Sequence, residues 1–370
     1  MSKFVSLWTL CALVLLSLPT FANAESASSH PVKNQIDKNA IIATWQPEEK
    51  ALTSLFEAEQ LLSSSRYLSA SGNERQRVSQ FLHKLRSEQP VLRGTQLERV
   101  VILEAKLMQG IHKFDDAMSH LNTIDVSRSA AAQLLLADIS IQQGNGNKAK
   151  QHCERLLGKT SFMLSFGCML NADFAISPSI EVYHKLKKFE QYSSLPSSSS
   201  SPISSSFDNS EFIWFKETLA SMALSVGQPE LAIKQLAEFE IASLPISAII
   251  TWADAHYASG QYGTITSTLE RDVTDLSRLD DALLLRWVKA QKALGEDNTK
   301  EMRLLGERMK IRAWREDTSH AAQVANYYLD IDPQPELALK FAQLNWQYAQ
   351  TEHDKALLER AEKANSELSS

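Results

Sequence analysis

The 370-residue chain carries 38 Lys and Arg against 44 Asp and Glu, a formal net charge of −6, and 44% of its residues are hydrophobic. A mildly acidic chain with interspersed signs lacks the clustered cations that hold a polyanion, so nucleic acid is not an expected partner. Past the first two dozen residues no apolar run reaches the length of a membrane-spanning helix, so no transmembrane segment is expected in the mature chain.

The first element is "MSKFVSLWTLCALVLLSLPTFANAES". Lys3, an apolar run from Phe4 to about Leu18, and small residues at Ala22 and Ala24 form the three parts of a secretory signal. Cleavage is expected after Ala24, with a periplasmic mature protein. Cys11 lies inside the apolar run rather than in a lipobox, so no lipid anchor is expected. Removing 24 residues from 370 leaves 346 and takes away one lysine, so the net charge moves from −6 to −7. Residues 25–45 read as a disordered mature N-terminus, 46–192 as helical repeats, 193–206 as a Ser-rich linker or loop, and 207–370 as further helical repeats.

Three windows carry one layout: "AAAQLLLADISIQQGNGNKAKQHCERLL" from Ala130, "FIWFKETLASMALSVGQPELAIKQLAEF" from Phe212, and "IITWADAHYASGQYGTITSTLERDV" from Ile249. Each has an apolar helix with a small residue near its middle, a glycine or polar bend, then a second helix with an early small or apolar position. Gly227, Gly260 and Gly295 are spaced by 33 and 35 residues. This resembles the tetratricopeptide repeat (TPR), a helix-turn-helix unit of about 34 residues. On the family pattern the eighth position falls on Ala105, Ala137, Ala220 and Ala253. The twentieth falls on Ala117, Ala149, Ala232 and Ala338. Departures are Val288 and Asn326 at the eighth, and Ile265 and Lys300 at the twentieth.

The resemblance implies an all-α, TPR-like right-handed superhelical solenoid of antiparallel helix pairs. Small side chains let the two helices approach, and the pairs stack because one pair alone cannot bury its apolar stripe. Seven or eight pairs are expected between Gln46 and Leu368, with Ser161–Tyr192 the poorest fit and Pro333 and Pro335 marking the start of the penultimate helix. The order of features, including "MQGIHKFDDAMSHL", "DDALLLR", "REDTSHAAQVANYYL" and "LALKFAQLNWQYAQ", also resembles a group of exported bacterial TPR-like proteins.

The string Gly144-x-Gly146-x-x-Ala149 could cradle a dinucleotide, but that chemistry needs a buried strand before the turn, and the preceding segment reads as helix. It is taken as a helix bend, and no cofactor is expected. Cys153 and Cys168 form an even pair in a chain read as exported, which favours a disulfide over two buried thiols. The nine histidines give no His-x-x-x-His or His-Glu-x-x-His spacing, so no metal site is expected. The acid pairs Asp115–Asp116, Asp280–Asp281 and Glu316–Asp317 read as helix caps and solvated faces. The stretch "KEMRLLGERMKIRAWRED" reads first as a solvated basic face, with partner docking around Trp314 as its other reading.

In the family, ligands lie on the concave surface formed by the first helices. Mapped by register, this gives Asp138, Gln142, Trp214, Glu217, Asp254, Tyr257, Lys289, Lys292, Gln323 and Tyr327 as candidate partner-binding residues. The expected protein is a non-catalytic exported scaffold or adaptor. It would bind a protein or extended peptide on that face, in an envelope complex. The competing reading is a cell-envelope hydrolase of lytic type, with its site in the poorly fitting middle region.

Overall fold

The computed structural model describes residues 50–89, 91–193, 209–296 and 299–368. The expected signal peptide, the expected disordered N-terminus and all of the Ser-rich segment except Ser193 lie outside the described residues.

The described chain is an all-α, TPR-like solenoid. Seventeen α-helices run in chain order: α1 Leu55–Ser64, α2 Glu74–Glu88, α3 Gly94–Gln109, α4 Phe114–Leu121, α5 Ala130–Gln142, α6 Gly146–Glu154, α7 Phe162–Ile176, α8 Ile180–Ser193, α9 Asn209–Ser225, α10 Pro229–Leu236, α11 Ile246–Ala258, α12 Tyr262–Asp272, α13 Asp281–Ala293, α14 Lys300–Trp314, α15 Ala321–Asp330, α16 Pro335–Trp346 and α17 Glu352–Leu368. Odd and even helices form eight antiparallel pairs, and α17 closes the C-terminal end. Each odd-numbered helix from α1 to α15 packs on the next odd-numbered one, which makes a continuous inner wall.

The pairing follows from residue size. Ala105, Ala137, Ala220 and Ala253 are buried at the helix crossings, as are Ala117, Ala149, Ala232 and Ala338. Gly144, Gly227, Gly260 and Gly295 end the first helix of their pairs with φ of +70°, +73°, +71° and +85°, a left-handed conformation that glycine adopts without steric cost. The bend around Gly144 also needs a second glycine. A Cβ on Gly146 would lie 2.7 Å from Ile176 Cγ1 and 3.0 Å from the Ala172 carbonyl oxygen, so α6 starts in direct contact with the end of α7.

Two register assignments are corrected. In α15 the small residue of the helix crossing is Ala325, with Ala321, Val324, Tyr327 and Tyr328 buried around it, and half-exposed Asn326 belongs one place further round. In the seventh pair, Lys300 opens α14 and is exposed. Leu305, Gly306 and Met309 supply the buried face instead.

Residues 162–193 form an ordinary pair, α7 with α8, and both helices pack on α9. The repeats on either side of the Ser-rich segment therefore stack without a break. Gly167 explains the poor fit to the pattern. It takes the ring edge of Trp214, and a Cβ there would sit 2.9 Å from Cζ3. Cys153 and Cys168 are joined with Cα atoms 5.5 Å apart, tying α6 to α7.

The solenoid winds tightly enough for successive turns to touch. The loop after α1 pairs with the segment before α11: Ile246 N–H donates to the Arg66 carbonyl at 2.7 Å, and Tyr67 and Pro245 form an isolated antiparallel bridge. The end of α5 meets the loop before α17, where Gln350 N–H donates to the Gln142 carbonyl at 2.7 Å. Thr351 and Asn345 hold that loop through Asp354, whose carboxylate accepts from Thr351 N–H at 3.0 Å and from Asn345 Nδ2 at 2.7 Å. The first pair thus meets the joint between the fifth and sixth pairs, and the third meets the joint after the eighth, so about five pairs complete one turn.

Candidate binding surface

The inner wall is built from the odd-numbered helices, whose one face packs on the even-numbered partners and whose other face looks toward the axis of the spiral. Nine of the ten sequence-assigned residues, Asp138, Gln142, Trp214, Glu217, Asp254, Tyr257, Lys289, Lys292 and Gln323, are exposed or half-buried on these helices. Many bind one another. Arg286 grips Asp254 with two nitrogens at 3.0 and 2.8 Å, and Lys289 pairs with Asp330 at 2.8 Å while its ammonium lies 4.4 Å from the Tyr257 ring centre. Lys292 donates to the carbonyls of Asp330 and Ile331. Arg360 of α17 donates to Asn326 and to Asp330, closing the ladder.

Three of the ten have other surroundings. Trp214 lodges its ring against Gly167 of α7, a packing contact between neighbouring pairs. Tyr327 is 5% exposed, with its hydroxyl against Gly306, and is core rather than wall. Gln323 is half-buried with a side-chain oxygen that finds no partner among the described residues. Both misplacements in α15 follow from the register slip of one residue at Ala325.

Sequence reasoning passed over Lys106, Gln109 and Arg66. Lys106 and Gln109 follow Ala105 at the same spacing as Asp138 and Ile141 follow Ala137, so the register could have found them. Arg66 is on a loop and carries no such signal.

The charges toward the N-terminal end differ in kind from the ladder. Asp138 accepts hydrogen bonds from the amides of Gln109 and Gln142, and among the described residues it makes no ion pair. It is solvent-accessible, yet enough protein surrounds it that burial raises its pKa. Burial likewise raises Glu217, against the pull of Ser247 and Arg66. Burial lowers Lys106, and the repulsion of Arg66 adds to it. Burial alone would raise Asp254 too, but the Arg286 charge beside it holds that carboxyl below its usual value.

The remaining chemistry-bearing residues are engaged in structure. Asp280 caps α13 by accepting from Ala282 N–H at 2.8 Å. Asp281 is buried between Arg308, at 3.0 Å, and Arg312. Asp317 pairs with Arg312 and Glu316 with Lys340. Asp115 and Asp116 are exposed at the start of α4. Among the described residues no group of three or more His, Cys, Asp or Glu side chains could hold a metal, and no helix is long and apolar enough to cross a membrane.

No family model matches the chain, and no curated protein matches it. Among solved structures it is similar to the TPR domain of P58(IPK), at 12% identity over 84% of this chain and 99% of that chain, with a TM-score of 0.24. A superposition of that quality adds nothing to the fold assignment, which stands on the helix pairing and the buried small residues.

Proposed function

We propose that the protein is an exported, periplasmic, non-catalytic adaptor that binds a protein or an extended peptide along its inner wall. The observation that carries this reading is charge held there without ion pairing. Asp138 and Glu217 keep carboxylates in surroundings that raise their pKa, and among the described residues neither forms an ion pair. Such groups cost stability in the free protein, and a ligand bringing polar or positively charged groups would offset that cost on binding. The ladder from Asp254 to Arg360 fixes the C-terminal part of the wall in shape, so the binding surface is largely preformed.

Export rests on the sequence of residues 1–24. N-terminal sequencing of the mature protein should begin at Glu25, in the periplasmic fraction. An intact N-terminus in the cytosolic fraction would refute that part. For the wall, Asp138→Lys combined with Glu217→Lys is compared with the outward control Glu181→Lys by cross-linking in cells and identification of the captured proteins. The inner pair should lose capture and the control retain it. Capture that survives the inner pair would remove the wall from consideration.

A further inference from the structure

A second surface lies outside the inner wall, at the C-terminal end of α14. Trp314 is 81% exposed and Ile311 51% exposed, one turn apart on the same helical face. Trp314 is the most exposed large hydrophobic residue among those described. Lys310 lies one turn before Trp314 and Arg315 one turn after Ile311, so each apolar residue has a cation beside it. Both cations are exposed, and among the described residues neither makes an ion pair.

Beside this face is an open depression of about 500 Å³, lined by Ile311 and by Arg308, Arg312 and Arg315 with the carboxylates of Asp280, Asp281 and Asp317, and by Gly72 and Leu279. Its floor is fixed. Arg308 donates to the carbonyls of Leu279 and Ser277, and both Arg308 and Arg312 are held by Asp281. The helical face beside it leaves one guanidinium, one ammonium, an indole and a butyl side chain available, while Asp281 and Asp317 are taken up by the arginines and exposed Asp280 caps α13. Arginine and tryptophan are the residues most enriched where binding energy concentrates, and a guanidinium accepts a carboxylate through two parallel hydrogen bonds.

We propose that this face docks an acidic peptide segment, one carrying an aliphatic or aromatic residue next to an Asp or Glu. The apolar residue covers Trp314 and Ile311, and the carboxylate pairs with Arg315 while Lys310 adds charge. Charge complementarity selects this occupant. An anionic bilayer would gain about 1 kcal/mol from each nearby cation and would need a longer apolar helical face than two exposed residues.

The test uses a phage-displayed library of random dodecapeptides selected on the full chain. Trp314→Ala combined with Arg315→Glu serves as the counter-variant, and folding is checked by circular dichroism, since both side chains are exposed. Enriched peptides should pair Asp or Glu with an apolar neighbour. They should lose at least tenfold in affinity on the double variant and weaken as salt rises, while Asp138→Lys with Glu217→Lys leaves them unchanged. Neutral or basic character in the peptides that the double variant weakens, or no enriched peptide that the double variant weakens, would overturn the proposal. So would co-sedimentation with phosphatidylglycerol vesicles, or self-association, that the double variant abolishes: the first would assign the face to lipid and the second to another copy of this chain.

Discussion

The two ends of the solenoid are built on the same repeat but packed differently. From α7 to α17 the buried side chains form one continuous core, running from Met163 through Trp252, Trp287 and Phe341 to Ala361. From α1 to α7 the core breaks into three separate clusters: one around Val78, Leu82 and Leu103, one around Phe114, Leu121 and Leu136, and one around Ala149, Cys153 and Leu156. Polar contacts run within and between these clusters. Glu104 binds Arg86 at 2.6 Å and His120, Arg99 binds Glu59 at 2.7 Å, and buried Gln133 meets His152 at 2.8 Å. In a stacked array stability is a sum of unit and neighbour terms, so the segmented end should open first and the continuous end last.

The largest expected effect tests the continuous end. Asp281 is 4% exposed between two half-buried arginines, so Asp281→Ala leaves Arg308 to backbone carbonyls and Arg312 to Asp317, and should cost about 3 kcal/mol. Chemical denaturation should show that loss, and hydrogen exchange should show it spread across α11 to α16. A loss confined to α13 and α14 would mean that the C-terminal core is not one cooperative body.

At the segmented end, the Cys153–Cys168 bond closes a loop of sequence separation 15 and should contribute about 3 kcal/mol. Cys153→Ser with Cys168→Ser should lower the first unfolding transition and strip exchange protection from α5 to α7, leaving α11 to α16 protected. Equal loss at both ends would erase the contrast.

Acid should act on the same end. Burial, reinforced by the nearby charges of Arg155 and Lys148, lowers the His152 pKa from 6.5 to about 4. As pH falls below 6.5 the unfolded chain takes up this proton first and the folded chain does not, so stability drops between pH 6.5 and 4 and levels off below. The full difference is on the order of 3 kcal/mol. Burial lowers His112 as well, which adds to the slope. Titration of the melting temperature should show this fall, and His152→Gln should flatten it. A slope unchanged by the substitution would place the proton uptake elsewhere.

A smaller effect is expected where the two ends join. Gly167→Ala would bring a Cβ to 2.9 Å from the Trp214 ring, and the rearrangement should cost about 1–3 kcal/mol, read as a lower denaturation midpoint. An unchanged midpoint would show that α7 and α9 have slack between them.

Which parts were legible in sequence depended on whether side-chain identity carries the constraint. Ala137, Ala220 and Ala253 are small because two backbones meet there, and Gly144, Gly227 and Gly260 are glycine because φ is positive, so both appear in the residue pattern. In α15, the adjacent Ala325 and Asn326 are both short enough to pass at the crossing position, and only burial separates them. That one-residue slip carried Gln323 and Tyr327 onto the wall in place of Ala322 and Asn326. The winding left no trace in sequence. It rests on backbone bonds, Ile246 to Arg66 and Gln350 to Gln142, which any residue but proline could donate. The charge on the inner wall was half visible, since the register located Asp138 and Glu217. Their raised pKa values depend on protein brought around them by the winding.

The contact between turns is the central claim, because it encloses the wall and sets its electrostatics. Its most direct measurement is a cross-link across the seam, with Gln142→Cys and Gln350→Cys in one chain, treated with oxidant or a short bismaleimide and read as a shift in gel mobility. Tight winding predicts rapid intramolecular linkage at high dilution, as efficient as for neighbouring residues within one helix pair. Linkage that is absent, or that appears only between molecules as concentration rises, would mean an open spiral and would contradict the account.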